Sequence, residues 1–288
     1  MLDSHSRLAI PPESQRIAKI FRTLGGTNSP LDDDGKRKAV ALILAMARDR
    51  RYNMPLEQLE GRLLTLRSPR LSELLDTTFR EYARFHGKVR WGDKTPRYVH
   101  ELKTLNELFP DCLVIHIIRD GRDAMLSQIR VWGYKTARVA AKTWMKAIQN
   151  GRAFARKHPN RYYEVRYEDL VRNPEGELRA VAEFLGERLQ SRMLRYQEAV
   201  ESRFPQADRG WHGELRRAPH TSRVGRWRSE LSPSWVLVFE LYAGQTLSEC
   251  GYEPMHANPG RWDRFCAGII SAAHVVRWVL FCAKVWAA

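Results

Sequence analysis

Arg119 and Ser127 are the two side chains in this sequence whose types and spacing best suit the binding of a phosphate group. Arg119 follows directly on the apolar run CLVIHII (112–118), and Ser127 lies about two helical turns further on. Short apolar, β-branched runs are typical of buried parallel strands, and α/β sheets bind ligands at the carboxyl ends of such strands. With a tight turn at Gly121 and a helix after it, a phosphate could accept a forked pair of hydrogen bonds from Arg119 and another from Ser127.

Three further segments carry side chains suited to an anionic ligand. Lys94, in WGDKTP (91–96), precedes a predicted helix N-terminus, where an ammonium beside helix amides suits a negatively charged oxygen. Tyr167 follows a predicted strand. The loop TSRVGRWRSEL (221–231) has a central Gly225, an aromatic ring suited to stacking, and arginines that could close over a polyanion.

Each motif also has an interpretation without a ligand. Neighbouring residues in the run RDGRD (119–123) could form Arg–Asp surface pairs, and Lys94 could be a solvated lysine in a capping turn. Tyr167 could belong to the core, and 221–231 could be a basic surface loop. Residue types taken one motif at a time leave these alternatives open.

Taken together, VIHIIRDGRDAMLSQ, WGDKTP, RYEDLVRNPEGELR and VGRWR resemble the sulfotransferases that use 3′-phosphoadenosine 5′-phosphosulfate. The resemblance is to the branch that contains protein-tyrosine sulfotransferases and many bacterial relatives, and it covers residues 1–255. It implies an α/β, P-loop-NTPase-like three-layer sandwich with a parallel sheet and a helical insert at 36–87. The family's first strand and its P-R-S-G-T-T type loop for the 5′-phosphosulfate would precede Met1. The resemblance therefore predicts a chain without them that has weak or no sulfotransferase activity as given, whereas a version extended upstream would be active.

The resemblance also implies roles for the matching residues. Arg119 and Ser127 would bind the 3′-phosphate, and Tyr167 and the 222–228 loop would contact the nucleotide. Lys94 would contact the transferring group, and Glu13 matches the candidate general base of the tyrosine branch. A further basic contact of the family falls at Val131, beside Arg130. The predicted nucleotide-binding residues are Arg119, Ser127, Tyr167, Ser222, Arg223, Gly225, Arg226 and Trp227, and the predicted catalytic residues are Glu13 and Lys94.

The chemistry that this family would run is an in-line sulfuryl transfer from 3′-phosphoadenosine 5′-phosphosulfate to a hydroxyl or amine acceptor. Glu13 would take the acceptor's proton, and Lys94 would stabilise charge on the bridging and sulfonyl oxygens. None of the residues singled out requires a metal. The acceptor class stays open among glycans, peptides, lipids and small molecules, and the insert is expected to shape its cleft.

The elements that must position these residues can be read from hydrophobic periodicity. Helices are predicted over 14–24, where Ile17, Ile20 and Phe21 share a face, and from 95, with Thr95 as N-cap and Pro96 at the first position. Further predicted helices form the insert and follow each strand. Strands are predicted at 112–118 and 162–166. The order strand–helix–helix–strand–helix indicates a parallel sheet with right-handed crossovers.

The C-terminal segment 256–288 is the most apolar part of the chain, but His274, Arg277 and Lys284 fall within one helical sector. We therefore predict an amphipathic helix and not a membrane span, with two alternatives left open. It could lie in a membrane interface, or it could dock on the protein or a partner subunit. The four scattered cysteines favour a reducing compartment, so the chain is predicted to be cytoplasmic.

A formal net charge of +15, from 48 Lys and Arg against 33 Asp and Glu, favours anionic partners. A nucleic-acid-binding protein is the weakest hypothesis, because basic and acidic residues interleave instead of forming a stripe. A P-loop kinase is disfavoured because no GxxxxGK[ST] motif is present in the sequence. The alternative to a sulfotransferase that stays open is an inactive nucleotide-binding relic of that family.

Overall fold

A computed structural model of the chain describes residues 1–49, 52–132, 136–199, 217–256, 260 and 269. The described residues form two compact units, and each unit is assembled from separate stretches of chain. The first unit comprises 1–115, 158–163 and 173–219. The second comprises 116–157, 164–172 and the described residues from 220 onward.

Helices and strands alternate along the chain, so the predicted α/β class is confirmed. The strands are β1 (Leu8–Ala9), β2 (Arg90–Trp91), β3 (Val114–Ile118) and β4 (Tyr162–Arg166). The α-helices are α1 (Ile17–Thr23), α2 (Asp33–Ala47), α3 (Leu56–Thr65), α4 (Leu71–Phe85), α5 (Leu102–Leu108), α6 (Gly121–Trp132), α7 (Ala137–Lys157), α8 (Tyr167–Arg172), α9 (Pro174–Phe184), α10 (Ser191–Leu194), α11 (Trp227–Glu230) and α12 (Pro233–Glu249).

Helices α2 to α4 occupy the region predicted as a helical insert. Helix α2 begins where the Asp32 carboxylate accepts a hydrogen bond from the Gly35 amide at 2.7 Å, a side-chain N-cap. The apolar stripes of the three helices pack together in the core of the first unit, with the buried face of α1 against them. Ile17, Ile20 and Phe21 are buried on that face, as predicted, although α1 begins only at residue 17.

The single helix predicted to begin at Thr95 is wrong. Residues Pro96–His100 form a 3₁₀ helix, and α5 begins afterwards at Leu102. Pro96 does stand at the first position of its helix. The Thr95 hydroxyl makes no capping bond, because it donates to the Asp93 carboxylate at 2.9 Å instead.

The strands β1 and β2 form a parallel pair in the first unit. Leu8 lies beside Arg90 and Ala9 beside Trp91, and the Gly92 amide donates to the Ala9 carbonyl at 2.9 Å. Each strand is two residues long, too short to show alternation in the sequence. The pair nevertheless brings two segments that are about 80 residues apart into register.

The strands β3 and β4 form a second two-stranded sheet. Both lie where the sequence predicts strands, but the prediction that β3 is a buried strand is wrong for most of its length. Ile118 is buried, whereas the Ile117 side chain is 55% exposed. The apolar run marks a strand correctly, but in the described residues β3 pairs only with β4, so its other surfaces are not covered by a larger sheet.

The core of the second unit lies among β3, α6, α7 and α12. Gly121 opens α6 because of space, and not because of the tight turn that the sequence suggested. Its φ is not in the left-handed region, whereas an added Cβ would lie 2.5 Å from Cζ of Phe239 and 2.7 Å from Cδ2 of Trp144. The absence of a side chain therefore lets α6 approach α7 and α12 closely.

Two predictions about the C-terminal region concern residues that the structure mostly does not describe. Of the predicted amphipathic helix at 256–288, only residues 256, 260 and 269 are described, so that helix and the domain boundary at 255 stay predictions. Among the described residues, no helix combines the length and hydrophobicity that a bilayer crossing would require.

Candidate active site

The segments that follow β1 and β2 carry the two predicted catalytic residues, and both belong to the first unit. The chain continues from β1 through a double proline to Glu13, and from β2 through Gly92 to Lys94. Because the strands are parallel, these continuations leave the same end of the ladder. The Lys94 ammonium donates a hydrogen bond to the Glu13 carboxylate.

Glu13 is bound through both of its carboxylate oxygens. Oε1 accepts from Lys94, and Oε2 accepts from the Gln15 side-chain amide at 3.1 Å. The Lys94 side chain is 67% exposed, so the ion pair lies largely in water. Exposed ion pairs of this kind contribute about 0–1 kcal/mol to stability. Little free energy is therefore lost when Lys94 leaves Glu13 and binds another anion.

A buried hydrogen-bond chain lies directly beneath this ion pair and joins the same two segments. The Ser14 hydroxyl donates to Asp93 Oδ2, and Tyr98 Oη lies 2.5 Å from the same hydroxyl. Since Ser14 has one proton and gives it to the carboxylate, Tyr98 must donate to Ser14. Tyr98 in turn accepts from the Ile17 amide at 3.2 Å, where α1 begins.

The other oxygen of Asp93 completes the connection. Oδ1 accepts from the Thr95 hydroxyl, and the Gln15 amide donates to that hydroxyl at 3.5 Å. Burial raises the pKa of Asp93, and burial together with the Asp93 charge raises the pKa of Tyr98 to about 12, which keeps the phenol a donor at neutral pH. Gln15 has φ +49°, a conformation that is uncommon for residues other than glycine.

The residues that directly follow β3 and β4 meet in the second unit. The Arg119 guanidinium lies over the Tyr167 ring, 4.7 Å from its centre, and Arg119 Nη2 donates to the Arg223 carbonyl at 2.5 Å. The Nε of Arg119 is buried and has no hydrogen-bond partner in the part of the chain that the structure describes. A buried donor without an acceptor costs about 1–3 kcal/mol, so this group is suited to an anionic ligand that supplies one.

Hydrogen bonds from side chains hold the ends of β3 and β4 in place. Glu168, next to Tyr167, accepts from the Asp120 amide at 3.0 Å and from the Tyr252 hydroxyl at 2.7 Å. The indole of Trp144 donates to the Arg119 carbonyl at 3.0 Å. These bonds fix the residues next to Arg119 and Tyr167, so the guanidinium and the ring are held against each other. Tyr167 is half-buried and is not a core residue.

The 222–228 loop contacts Arg119 through its backbone and not through its arginine side chains. Arg223 contributes its carbonyl to Arg119, and the Gly225 amide donates to the Asp123 carboxylate at 2.7 Å. Arg226 makes a two-pronged ion pair with Glu230, at 2.6 and 3.0 Å. The exposed Ser222 hydroxyl lies 2.7 Å from His220 Nδ1.

The structure corrects the stacking role predicted for Trp227. The side chain is fully buried, so the ring has no exposed face on which a nucleotide base could stack. Its faces instead meet two guanidinium groups, with Arg122 at 3.7 Å and Arg228 at 4.5 Å from the ring. Trp227 is therefore an anchor for the loop, which explains an indole in this basic segment.

The alternative of Arg–Asp surface pairs in 119–123 is also wrong. Arg122 is buried and binds Asp120 and Glu240, at 2.8 and 2.6 Å, while Arg119 Nη2 lies 3.7 Å from Asp123. Arg119 is thereby left directed towards the strand end.

Ser127 lies within α6, partly exposed, and its side chain makes no hydrogen bond with another described residue. This leaves its hydroxyl available to a ligand. The side chains of Val131 and Arg130, considered for a further basic contact, lie outside the described residues.

Sequence reasoning missed the acids that organise both clusters, namely the half-buried Asp93 and the buried Asp123 and Glu168. Each sits one residue or one helical turn from a predicted site residue. Two signals were present, the spacing of Arg119 and Asp123 and the D-x-T order in GDKTP. No group of three His, Cys, Asp or Glu side chains is placed to hold a metal ion among the residues that were searched.

Comparison with known proteins adds a family to this geometry. The profile described as "Sulfotransferase family" matches residues 1–191. Omega-hydroxy-beta-dihydromenaquinone-9 sulfotransferase Stf3 of Mycobacterium bovis is 32% identical over 109 residues, which covers 32% of this chain and 28% of that protein. The Mycobacterium tuberculosis protein of the same name matches equally. This chain thus spans less than a third of the length of the curated relatives that it matches.

Two solved structures share the fold. The sulfotransferase domain from the Synechococcus PCC 7002 olefin synthase has a TM-score of 0.62 and 20% identity, with 88% of each chain covered. The sulfotransferase domain from the curacin biosynthetic pathway has a TM-score of 0.58 and 20% identity, with 88% of this chain and 91% of that one covered. At this identity the likeness concerns the fold, and it confirms the predicted P-loop-like α/β architecture.

Proposed function

Because the chain belongs to the sulfotransferase family, we propose that it transfers a sulfuryl group from 3′-phosphoadenosine 5′-phosphosulfate to an acceptor hydroxyl. The observation that carries the proposal is the environment of Arg119. Its guanidinium, just after β3, lies over the Tyr167 ring, and its buried Nε has no hydrogen-bond partner among the described residues. A nucleotide phosphate would supply the missing acceptor, and a guanidinium is the cation best shaped for phosphate.

The remaining predicted nucleotide contacts divide into two kinds. Ser127 offers a hydroxyl without a competing partner among described residues, and Tyr167 orients the guanidinium. The 222–228 loop supports Arg119 through the Arg223 carbonyl. In this proposal the loop acts on the nucleotide through Arg119, and the buried Trp227 anchors the loop.

Glu13 and Lys94 are proposed as the catalytic residues. Glu13 would accept the proton of the acceptor hydroxyl as its oxygen forms a bond to sulfur and the bond from sulfur to the bridging phosphate oxygen breaks. Lys94 would stabilise the charge that develops on that bridging oxygen, which leaves with adenosine 3′,5′-bisphosphate. Their exposed ion pair can open at small cost, so each group can turn to its own partner.

The proposed acceptor is a hydroxyl compound and not an amine. The two mycobacterial relatives carry an omega-hydroxy compound in their name. A carboxylate base such as Glu13 suits a neutral hydroxyl, whose proton must leave as the bond to sulfur forms. The helices α2 to α4 are proposed to contribute to acceptor choice, as expected from their position as an insert.

The experiment is a calorimetric titration of the full chain with adenosine 3′,5′-bisphosphate at about 150 mM salt. Arg119→Ala is expected to weaken binding roughly 10- to 100-fold, as expected for hydrogen bonds to a charged group. Arg37→Ala, an exposed arginine of α2, is the matched control and should bind like the wild type. No binding by the wild type, or equal binding by Arg119→Ala, would refute the nucleotide site.

A second measurement addresses transfer itself. Radiolabelled sulfate carried by the nucleotide should appear on a long-chain alcohol acceptor when the wild-type chain is present. Binding without transfer to any hydroxyl acceptor would favour the alternative of an inactive nucleotide-binding relic.

A further inference from the structure

Asp123 is a buried carboxylate one helical turn after Arg119, and no nucleotide contact requires it. Its side chain is fully excluded from solvent. One oxygen accepts from the Gly225 amide at 2.7 Å, and the other accepts from the Trp227 amide at 3.0 Å. Two amides two residues apart therefore converge on one carboxylate, which fixes the curvature of the loop between them.

The conformation at Gly225 depends on this convergence. Gly225 has φ +73°, a left-handed conformation that glycine adopts without the steric cost of a side chain. The turn lets the amides of Gly225 and Trp227, on either side of Arg226, both point at Asp123. The carboxylate thus acts as the fixed anion around which the loop folds.

The same loop supplies a direct contact to Arg119. The Arg223 carbonyl accepts from Arg119 Nη2 at 2.5 Å, and Asp123 Oδ2 lies 3.7 Å from that Nη2. Asp123 therefore acts on Arg119 twice, once through its own charge and once through the loop. Both effects act on the same nitrogen, Nη2, whereas Nε stays without a hydrogen-bond partner among the residues described.

The far end of the loop is held by packing. The buried Trp227 ring lies between Arg122 and Arg228, and the buried Glu240 fixes Arg122 with a 2.6 Å ion pair. With Trp227 anchored in this way, the position of Arg223 relative to Arg119 is set by the turn at Gly225. That turn is in turn set by Asp123.

Burying a carboxylate is costly, and burial raises the pKa of Asp123 despite the two amides and Arg119. An asparagine or a serine could satisfy one amide at lower cost. A carboxylate is needed only if both amides and the Arg119 guanidinium must be held at once.

We propose that Asp123 is a positioning residue that acts through the 222–228 loop and orients Arg119 towards the nucleotide's 3′-phosphate. Asp123 thereby determines the selectivity of the protein for 3′-phosphorylated nucleotides. The proposal rests on the proposed function, because it assumes that Arg119 binds that phosphate. It assigns Asp123 no contact with the nucleotide itself.

The test compares two ligands with the full chain, adenosine 3′,5′-bisphosphate and adenosine 5′-monophosphate, which lacks the 3′-phosphate. Asp123→Asn keeps the size of the side chain but offers one acceptor oxygen for two amides. We expect it to weaken bisphosphate binding about 10-fold, the effect of one lost buried hydrogen bond, and to change monophosphate binding less than about twofold. Asp34→Asn, on the exposed face of α2, is the matched control and should change neither.

The outcomes separate this proposal from the proposed function. If the wild type binds both nucleotides equally, the proposed function fails. If the wild type prefers the bisphosphate and Arg119→Ala removes that preference while Asp123→Asn keeps it, only the role of Asp123 is refuted. Equal weakening of both nucleotides by Asp123→Asn would show a purely structural role and would also refute the proposal.

A second variant covers the case in which Asp123→Asn does not fold. Gly225→Ala leaves the carboxylate and every hydrogen-bonding group in place but strains the turn. It should reproduce the selective loss of bisphosphate affinity. Unchanged selectivity in folded Gly225→Ala would contradict the idea that the loop transmits the effect to Arg119.

Discussion

The Lys94 ammonium donates a hydrogen bond to the Glu13 carboxylate across 81 residues of chain. No local structure connects the two residues. Their meeting depends on the parallel pairing of Ala9 with Trp91 and on the part-buried hydrogen bond from Ser14 to Asp93. The candidate catalytic pair is therefore held by long-range contacts in the first unit, and those contacts can be tested one by one.

Loss of the proposed base should affect turnover and not nucleotide binding. Glu13→Gln keeps the size of the side chain but cannot accept a proton, so sulfuryl transfer should fall by roughly 10²–10⁴. Affinity for adenosine 3′,5′-bisphosphate should stay unchanged, measured by calorimetry. Glu60→Gln, on the exposed face of α3, is the control for the same chemical change. A Glu13→Gln enzyme with full activity would exclude Glu13 as the base.

Lys94→Met should lower the rate through a different step. It removes the charge proposed to stabilise the leaving bridging oxygen, so kcat should fall by about 10²–10³. The loss should be smaller for a donor with a better leaving group, which Glu13→Gln should not show. Lys103→Met, exposed on α5, serves as the control. Equal losses for both donors would argue against contact between Lys94 and the leaving oxygen.

The half-buried Asp93 should make a contribution to the free energy of unfolding that decreases as pH rises. Burial raises the pKa of Asp93 in the folded state above 3.8. Between pH 3.8 and that raised pKa, the folded chain therefore binds more protons than the unfolded chain. The free energy of unfolding of the wild type minus that of Asp93→Asn should therefore decrease as pH rises through that window. Urea unfolding at a series of pH values measures it, and a difference that grows with pH would contradict the assignment.

Glu187 should show the opposite dependence. Burial acts to raise its pKa, but hydrogen bonds from Arg90 and Arg7 outweigh burial, and the pKa is lowered from 4.5. Its stabilisation is complete above pH 4.5 and is lost as pH falls through the lowered value. The wild type minus Glu187→Gln difference in unfolding free energy should therefore shrink in acid. If the difference in unfolding free energy stays constant between pH 3 and pH 6, the ion pairs of Glu187 contribute nothing to stability, which is the case for many exposed ion pairs.

Two glycines in the second unit should respond oppositely to alanine. Gly121→Ala places a methyl group 2.5 Å from Phe239 Cζ, and such overpacking should lower the free energy of unfolding by about 1–3 kcal/mol. Gly244→Ala, in α12, meets no atom within 4 Å and should raise it by up to about 1 kcal/mol, through helix propensity. Chemical denaturation measures both, and a neutral Gly121→Ala would mean that α6 shifts without cost.

The parts of the fold predicted from sequence are those with a period. Helices α2 to α4 and strand β4 have apolar spacing over several residues, so local patterns suffice. The strands β1 and β2 are too short for a pattern, and they are stabilised by pairing with each other. The exposure of Ile117 could not be predicted, because burial depends on what covers a strand and not on its composition.

The candidate site was predictable to the level of its charged residues. Glu13 with Lys94, and Arg119 with Tyr167, do meet in the structure. The buried position of Trp227 was not predictable, since an aromatic ring in a basic loop suits stacking on a ligand and stacking on arginine equally. The buried carboxylates were missed because an acid beside a base in sequence resembles a surface pair until the fold shows what covers it.

The two units are interleaved along the chain, and this has a consequence for biosynthesis. The first unit requires residues up to 219, and the second requires residues beyond 220. When a ribosome has released the first 172 residues, the core among α1 to α5 can already pack, because it lies within residues 9–109. The core of the second unit still lacks α12. The second unit should therefore fold only after its last segment is released, and the apolar faces of α6 and α7 that wait for α12 should favour aggregation during overproduction without chaperones.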